Sequence, residues 1–181
     1  MEKVNFRNLK TLYISKCKLF NAKVLEKVHF EKLEKISLKK ENFTNINFLE
    51  KANFKELKEL YLDYNNMTDL KGLEKTVYPK LQVLFLSNNK ISNINALEKV
   101  NFIELKELYL HNNNILDINI LEKVKFEKLE LLSLKKNQIH DISIFGKVNF
   151  KDLKKLYLNS NIIYDISDLE TAKFEKLELL I

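Results

Sequence analysis

The sequence has few of the residues that interrupt a chain or build a catalytic centre: two glycines, one proline, one cysteine and no tryptophan. Two glycines cannot form a phosphate-binding loop, and a lone Cys17 excludes a disulfide or cysteine-based metal framework. The three histidines fall at unrelated places in the chain. We therefore expect no cofactor, no metal and no small-molecule substrate, and we predict that the protein is not an enzyme.

Long apolar runs are also missing. No stretch approaches the ~20 apolar residues of a membrane span, and no signal peptide is recognisable. The sequence therefore predicts a cytoplasmic protein, with a secreted or surface-attached location left open if an upstream segment has been removed. Its net charge of +6 is spread over lysines that alternate with glutamates. This favours a solvated mixed-charge surface over a nucleic-acid or membrane track.

What the sequence does have is one 24-residue repeat, present seven times over residues 9–176 without insertion or deletion. Residues 1–8 match the end of a repeat, and residues 177–181 begin another. Such a period predicts a solenoid, here a single array over residues 1–181. Position 1 of each copy is a leucine: Leu9, Leu33, Leu57, Leu81, Leu105, Leu129, Leu153 and Leu177.

Within a repeat, positions 3 to 6 alternate as in Glu107-Leu108-Tyr109-Leu110, which predicts a short strand with leucine inward. Position 9 is mostly asparagine, and its amide can both donate to and accept from buried backbone groups. We therefore predict an asparagine ladder, an irregular second turn at Glu41 and a buried Cys17. The column reads Cys17, Glu41, Asn65, Asn89, Asn113, Asn137 and Asn161.

The second half of the repeat predicts a tight turn, a short helix and a closing aromatic residue. Position 13 is always Asn or Asp, which suits a turn or a helix N-cap. A short helix should follow at Leu-Glu-Lys-Val. The aromatic residue of position 22 should belong to the core: Phe30, Phe54, Tyr78, Phe102, Phe126, Phe150 and Phe174.

This L-x-x-L-x-L-x-x-N-x-I-x-x-I-x-x-L pattern resembles leucine-rich repeat proteins over the whole chain. It is most similar to the type shared by bacterial internalins and the leucine-rich regulator of the type-1 protein phosphatase. The resemblance implies an α/β fold: a right-handed solenoid with a curved parallel sheet on the concave face and short α or 3-10 helices on the convex face. It also implies that ligands bind the concave face.

The outward strand positions are not uniform along the array. Repeats 3 to 5 carry aromatic and acidic residues, whereas repeats 2 and 6 carry serine and lysine. We therefore predict an aromatic, acidic centre between two basic stripes, which binds a protein ligand with a basic surface. The candidate site residues are Glu59, Tyr61, Asp63, Tyr64, Val83, Phe85, Glu107, Tyr109 and His111.

Several alternatives stay open at this point. The aromatic column could serve only to pack neighbouring strands. Stacking of single-stranded nucleic acid is disfavoured, because the central acids oppose a phosphate backbone. The chain could be an interaction scaffold by itself, or the recognition arm of an adhesin, a receptor or a phosphatase regulator. Since neither end has a polar cap, either a longer array continues the chain or the ends associate with another chain, including end-to-end self-association.

Overall fold

The computed structural model describes residues 5–17 and 22–181. Within these ranges, eight parallel strands form one open sheet in chain order. Each paired residue lies 24 positions from its partner, so the sequence period is also the strand register. The strands are β1 Thr11–Tyr13, β2 Lys35–Ser37, β3 Glu59–Tyr61, β4 Val83–Phe85, β5 Glu107–Tyr109, β6 Leu131–Ser133, β7 Lys155–Tyr157 and β8 Leu179–Leu180.

We call each 24-residue coil a rung, with rung 1 beginning at Leu9. The described helices are single 3-10 turns on the side opposite the sheet, and none is an α-helix. They are η1 Ala22–Glu26, η2 Asn47–Glu50, η3 Lys71–Leu73, η4 Asn95–Glu98, η5 Asn119–Glu122, η6 Ser143–Gly146 and η7 Ser167–Thr171. This arrangement confirms the predicted solenoid class, with a curved open sheet and short helices.

The core fills the space between sheet and helices. The inward strand leucines of the middle rungs, such as Leu84 and Leu108, are fully buried. The aromatic column of position 22 is buried from Phe30 to Phe150, as predicted, and the Tyr78 hydroxyl donates to the Leu49 carbonyl at 3.0 Å. Burial of so many large side chains is the main stabilising contribution.

The asparagine ladder is present. The Asn113 amide donates to the carbonyls of Leu86 and Leu110 at 3.1 and 3.0 Å, and its oxygen accepts from the Ile91 N–H at 3.0 Å. Each asparagine therefore joins its own turn to the preceding rung. Equivalent bonds are made by Asn65, Asn89, Asn137 and Asn161.

The second turn is irregular, as expected. The Glu41 carboxylate accepts from the Cys17 N–H at 2.9 Å, and Asn42 takes a positive φ of 61°. The predicted burial of Cys17 is wrong, because its side chain is exposed. Cys17 lies in the first of the stacked turns, so no earlier turn of the described chain covers it.

The helices begin earlier than predicted. From η2 to η7 they start at position 15, as in Asn95–Glu98, where the Lys and Val of Leu-Glu-Lys-Val follow the helix. Position 13 does not occupy the N-cap: Ile118 precedes η5, while the Asp117 carboxylate accepts from the Asn119 N–H at 2.8 Å. It thus closes a turn before the helix. Asn21 lies outside the described residues.

Candidate functional site

Three aromatic rings form a continuous stack on the sheet face opposite the core. Tyr61, Phe85 and Tyr109 are register partners on β3, β4 and β5. The Tyr61 and Phe85 ring centroids are 4.7 Å apart with planes 11° from parallel, and those of Phe85 and Tyr109 are 4.1 Å apart at 5°. The rings therefore pack across neighbouring rungs, which is the packing role considered above for this aromatic column. Their side chains are half-buried, so part of each ring remains accessible.

Both tyrosine hydroxyls are held by carboxylates on their own strands. Tyr61 donates to Glu59 at 2.6 Å, and Tyr109 donates to Glu107 at 2.8 Å. Burial, followed by the hydrogen bond to the carboxylate, raises the pKa of both tyrosines. The phenols thus stay protonated and keep their ring edges fixed along the sheet.

Two lysines cover the Tyr61 end of the stack. Lys35 Nζ lies 2.7 Å from a Glu59 oxygen and 4.8 Å from the Tyr61 centroid. Lys39 Nζ lies 4.4 Å from the same centroid. Hydrogen bonds to Glu59 and Tyr61 raise the pKa of Lys35. For Glu59, burial opposes ionisation, but hydrogen bonds from Lys35 and Tyr61 outweigh it and lower the pKa.

These contacts correct the predicted charge pattern of the centre. Lys35 and Lys39 were expected to form a basic stripe beside the site, but they neutralise two of its acids. Glu107 lies between Val83 and Leu131 in the register and has no ion pair within the described chain. Of the three predicted central acids, Glu107 alone forms no ion pair with another residue of the described chain.

Two predicted site residues are not placed as expected. Asp63 is buried with 4% exposure and lies 3.1 Å from Lys39 Nζ. Burial raises the pKa of this carboxyl, and the nearby lysine opposes the shift. Tyr64 is exposed but sits in the turn after the strand, with φ 57° and Lys40 4.8 Å above its ring. Position 8 is therefore a left-handed turn residue and not part of the sheet face.

His111 borders the stack and is held by two buried serines. Its ring lies edge-on to Tyr109 at 6.3 Å. His111 Nδ1 is 2.9 Å from Ser87 Oγ and 3.3 Å from Ser133 Oγ. Burial, and then the charges of Lys135 and Lys136, lower the pKa of His111. The neutral imidazole is favoured, and sequence reasoning did not find its serine partners.

Small residues limit the stack to rungs 3 to 5. Position 5 is Ser37 in rung 2 and Ser133 in rung 6, and both side chains are buried. Beyond them, Tyr13 is 65% exposed, while Tyr157 is half-buried on β7. The boundaries of the aromatic centre therefore agree with those read from the sequence.

Many lysines of the described chain form ion pairs between rungs, but those of the rung-6 flank, Lys135 and Lys136, do not. The ion pairs of the described residues join side chains 24 or 25 positions apart, as Lys58 with Glu34 at 2.6 Å and Lys154 with Glu130 at 2.6 Å. Such exposed pairs stabilise little individually.

Residues 5–17 and 22–181 contain no group of three or more His, Cys, Asp or Glu side chains placed to hold a metal. No helix in those ranges is both long and apolar enough to cross a bilayer.

Family models match most of the chain. The model "Leucine Rich repeats (2 copies)" matches residues 55–99, 79–123 and 127–171, and the model "Leucine Rich Repeat" matches residues 8–28. The chain belongs to the leucine-rich repeat family. A comparison with curated proteins finds no match.

Solved structures place this leucine-rich repeat protein with the internalin type. An internalin (inlF) from Listeria monocytogenes matches with a TM-score of 0.76 and 26% identity, over 95% of this chain and 47% of that one. Internalin C2 from the same organism matches at 0.69 and 28%, over 83% and 61%. A Leptospira interrogans leucine-rich repeat protein, 23% identical with a TM-score of 0.65 over 87% and 44% of the chains, shows the fold alone.

The chain thus spans about half to three fifths of the length of the two internalins. Leucine-rich repeat proteins are typically non-enzymatic interaction scaffolds, and both family and fold support a protein-interaction role in this general sense.

Proposed function

We propose that this leucine-rich repeat protein binds a protein ligand on its concave face, centred on rungs 3 to 5. The observation that carries the proposal is the stack of Tyr61, Phe85 and Tyr109 on a rigid sheet, opposite the core. Large aromatic side chains that are already ordered lose little entropy on binding. Val83 and Leu131 extend the apolar surface beside them.

The role is recognition, with the ordered sheet as a preformed template. The ligand would bury the exposed ring edges, while the charges of Lys135 and Lys136 on rung 6 repel wrongly placed basic partners. Binding and release of the ligand then depend on surface complementarity alone and require no chemical step.

The proposal is tested by capture with two matched triple variants. One replaces Tyr61, Phe85 and Tyr109 by alanine, and the other replaces Val77, Ile103 and Leu116, three exposed apolar residues outside the sheet. A protein captured by the wild type and by the second variant, but not by the first, supports the concave site. Equal capture by both variants contradicts it.

A second proposal concerns the context of the chain. Because it spans only part of the length of both internalins, it could serve as the recognition arm of a larger protein, such as a surface adhesin, a receptor or a phosphatase regulator. The full open reading frame decides between this and a self-standing cytoplasmic scaffold. A flanking export signal or a further domain supports the arm, and their absence from the complete frame contradicts it.

A further inference from the structure

One lysine side chain of the concave face, Lys35, is held by two residues of the neighbouring strand. A Glu59 oxygen accepts from Tyr61 at 2.6 Å, and the same oxygen lies 2.7 Å from Lys35 Nζ. That ammonium also lies 4.8 Å from the Tyr61 ring centroid. A carboxylate and a tyrosine of one strand therefore hold a basic side chain from the neighbouring strand.

The same carboxylate–tyrosine pair recurs two rungs later without its cation. Tyr109 donates to Glu107 at 2.8 Å, in the manner of Tyr61 and Glu59. The residue that corresponds to Lys35 is Val83, which faces Glu107 in the register. On the other side, Glu107 faces Leu131. No ion pair to Glu107 and no cation over the Tyr109 ring occur in the described part of the chain.

We propose that Glu107 and Tyr109 form a receptor for one basic side chain, lysine or arginine, of the protein ligand. This rests on the proposed function, because it assigns the chemistry that the concave face selects. The contact between Lys35, Glu59 and Tyr61 shows how the carboxylate binds the incoming charge. Phe85 already covers the rung-4 face of the Tyr109 ring at 4.1 Å, so the incoming side chain approaches the opposite face, towards Ser133. Arginine suits the pair best, since its planar guanidinium can stack on an aromatic ring while it binds a carboxylate.

The surroundings restrict what accompanies that basic side chain. Val83 and Leu131 border Glu107 and favour apolar neighbours in the ligand. Lys135 and Lys155, on rungs 6 and 7, repel further positive charge. The ligand segment that fits has a single basic residue between apolar ones.

A pair of short peptides tests this directly. Acetyl-Leu-Arg-Leu-amide carries the predicted pattern, and the same peptide with citrulline has a neutral side chain of almost the same shape. In a nuclear magnetic resonance titration of the full chain, the arginine peptide should shift the Glu107 and Tyr109 signals. The citrulline peptide should bind about tenfold more weakly, as should the arginine peptide to Glu107→Gln, because one charge-assisted contact is lost.

Substitutions at the two positions that face the carboxylates, Lys35 and Val83, provide a second test. Val83→Lys supplies Glu107 with the chain's own ammonium and should abolish peptide binding. Lys35→Val releases Glu59 but leaves Lys39 4.4 Å from the Tyr61 centroid, and it should leave peptide binding at Glu107 unchanged. Thr11→Lys adds the same charge on the same face, four rungs from Glu107, and should leave binding unchanged.

Equal binding of the arginine and citrulline peptides overturns the proposal, as does unchanged binding by Val83→Lys or no detectable binding of the arginine peptide to the wild type. Failure of the broader concave role has a different signature in the capture experiment. Loss of the ligand in the aromatic triple variant, with full retention by Glu107→Gln, overturns the cation receptor alone. Retention by both variants overturns the concave site itself.

Discussion

At the scale of single residues, the asparagine column couples each turn to its neighbour. Asn113 is 7% exposed and bonds to backbone groups of both its own and the preceding rung, whereas the side chain of Asn114 is exposed. Asn113→Ala should therefore cost about 1–3 kcal/mol of unfolding free energy, since buried backbone groups lose their partners. Asn114→Ala should be nearly neutral. Urea denaturation of both variants measures the difference, and equal midpoints would contradict the ladder's role.

His111 should make stability depend on pH. Its folded-state pKa is lowered, so the unfolded chain takes up the proton first as the solution is acidified. The contribution of His111 is present above the unfolded pKa of about 6.5 and declines as pH falls through the folded value. His111→Asn removes this term, and asparagine already occupies the same position at Asn159. Between pH 7.5 and pH 5 the unfolding free energy should fall further in the wild type than in His111→Asn. An equal fall in both proteins would disprove this role.

At the scale of elements, the aromatic stack should contribute to stability as well as to recognition. Phe85 packs between Tyr61 and Tyr109, whereas Tyr13 on the edge strand is 65% exposed. Phe85→Ala should cost about 1–3 kcal/mol, because two ring contacts and buried apolar area are lost. Tyr13→Ala should cost less than about 0.5 kcal/mol. Thermal melting compares them, and a Phe85→Ala melting temperature equal to that of Tyr13→Ala would contradict the packing role.

The strands, the ladder and the aromatic core column were predictable because each depends on one residue type recurring at a fixed place. The details that depend on side-chain contacts between neighbouring rungs could not be predicted from the sequence. The Lys35–Glu59 pair joins residues that are distant along the chain. Nothing in the sequence around Lys35 distinguishes this paired lysine from an exposed one. The left-handed turn at position 8 is equally hidden, since lysine and tyrosine occupy a conformation that usually favours asparagine or glycine. The burial of Asp63 was missed because it depends on Lys39 of the neighbouring rung.

At the scale of the whole molecule, the last rung exposes an apolar side. Ile162, Tyr164 and Ile166 are 62%, 84% and 66% exposed, beside a groove of about 370 Å³ lined by Leu158, Leu169 and Leu180 among others. For the isolated chain of residues 1–181, in which that side and the edge of β8 are uncovered, we propose self-association through both. Ile162→Lys with Ile166→Lys should lower the average mass in light scattering. A wild type that stays monomeric at high concentration would exclude this association.

We propose above that the aromatic stack of rungs 3 to 5 binds a protein ligand. The most direct measurement is the calorimetric affinity of the captured ligand for the wild type, Phe85→Ala and the control Val77→Ala. Because Phe85 is the middle ring, its loss should weaken binding by about 1–3 kcal/mol, while Val77→Ala should bind as the wild type does. If Phe85→Ala, shown to be folded at the temperature of the measurement, binds with unchanged affinity, the concave centre is not the binding site.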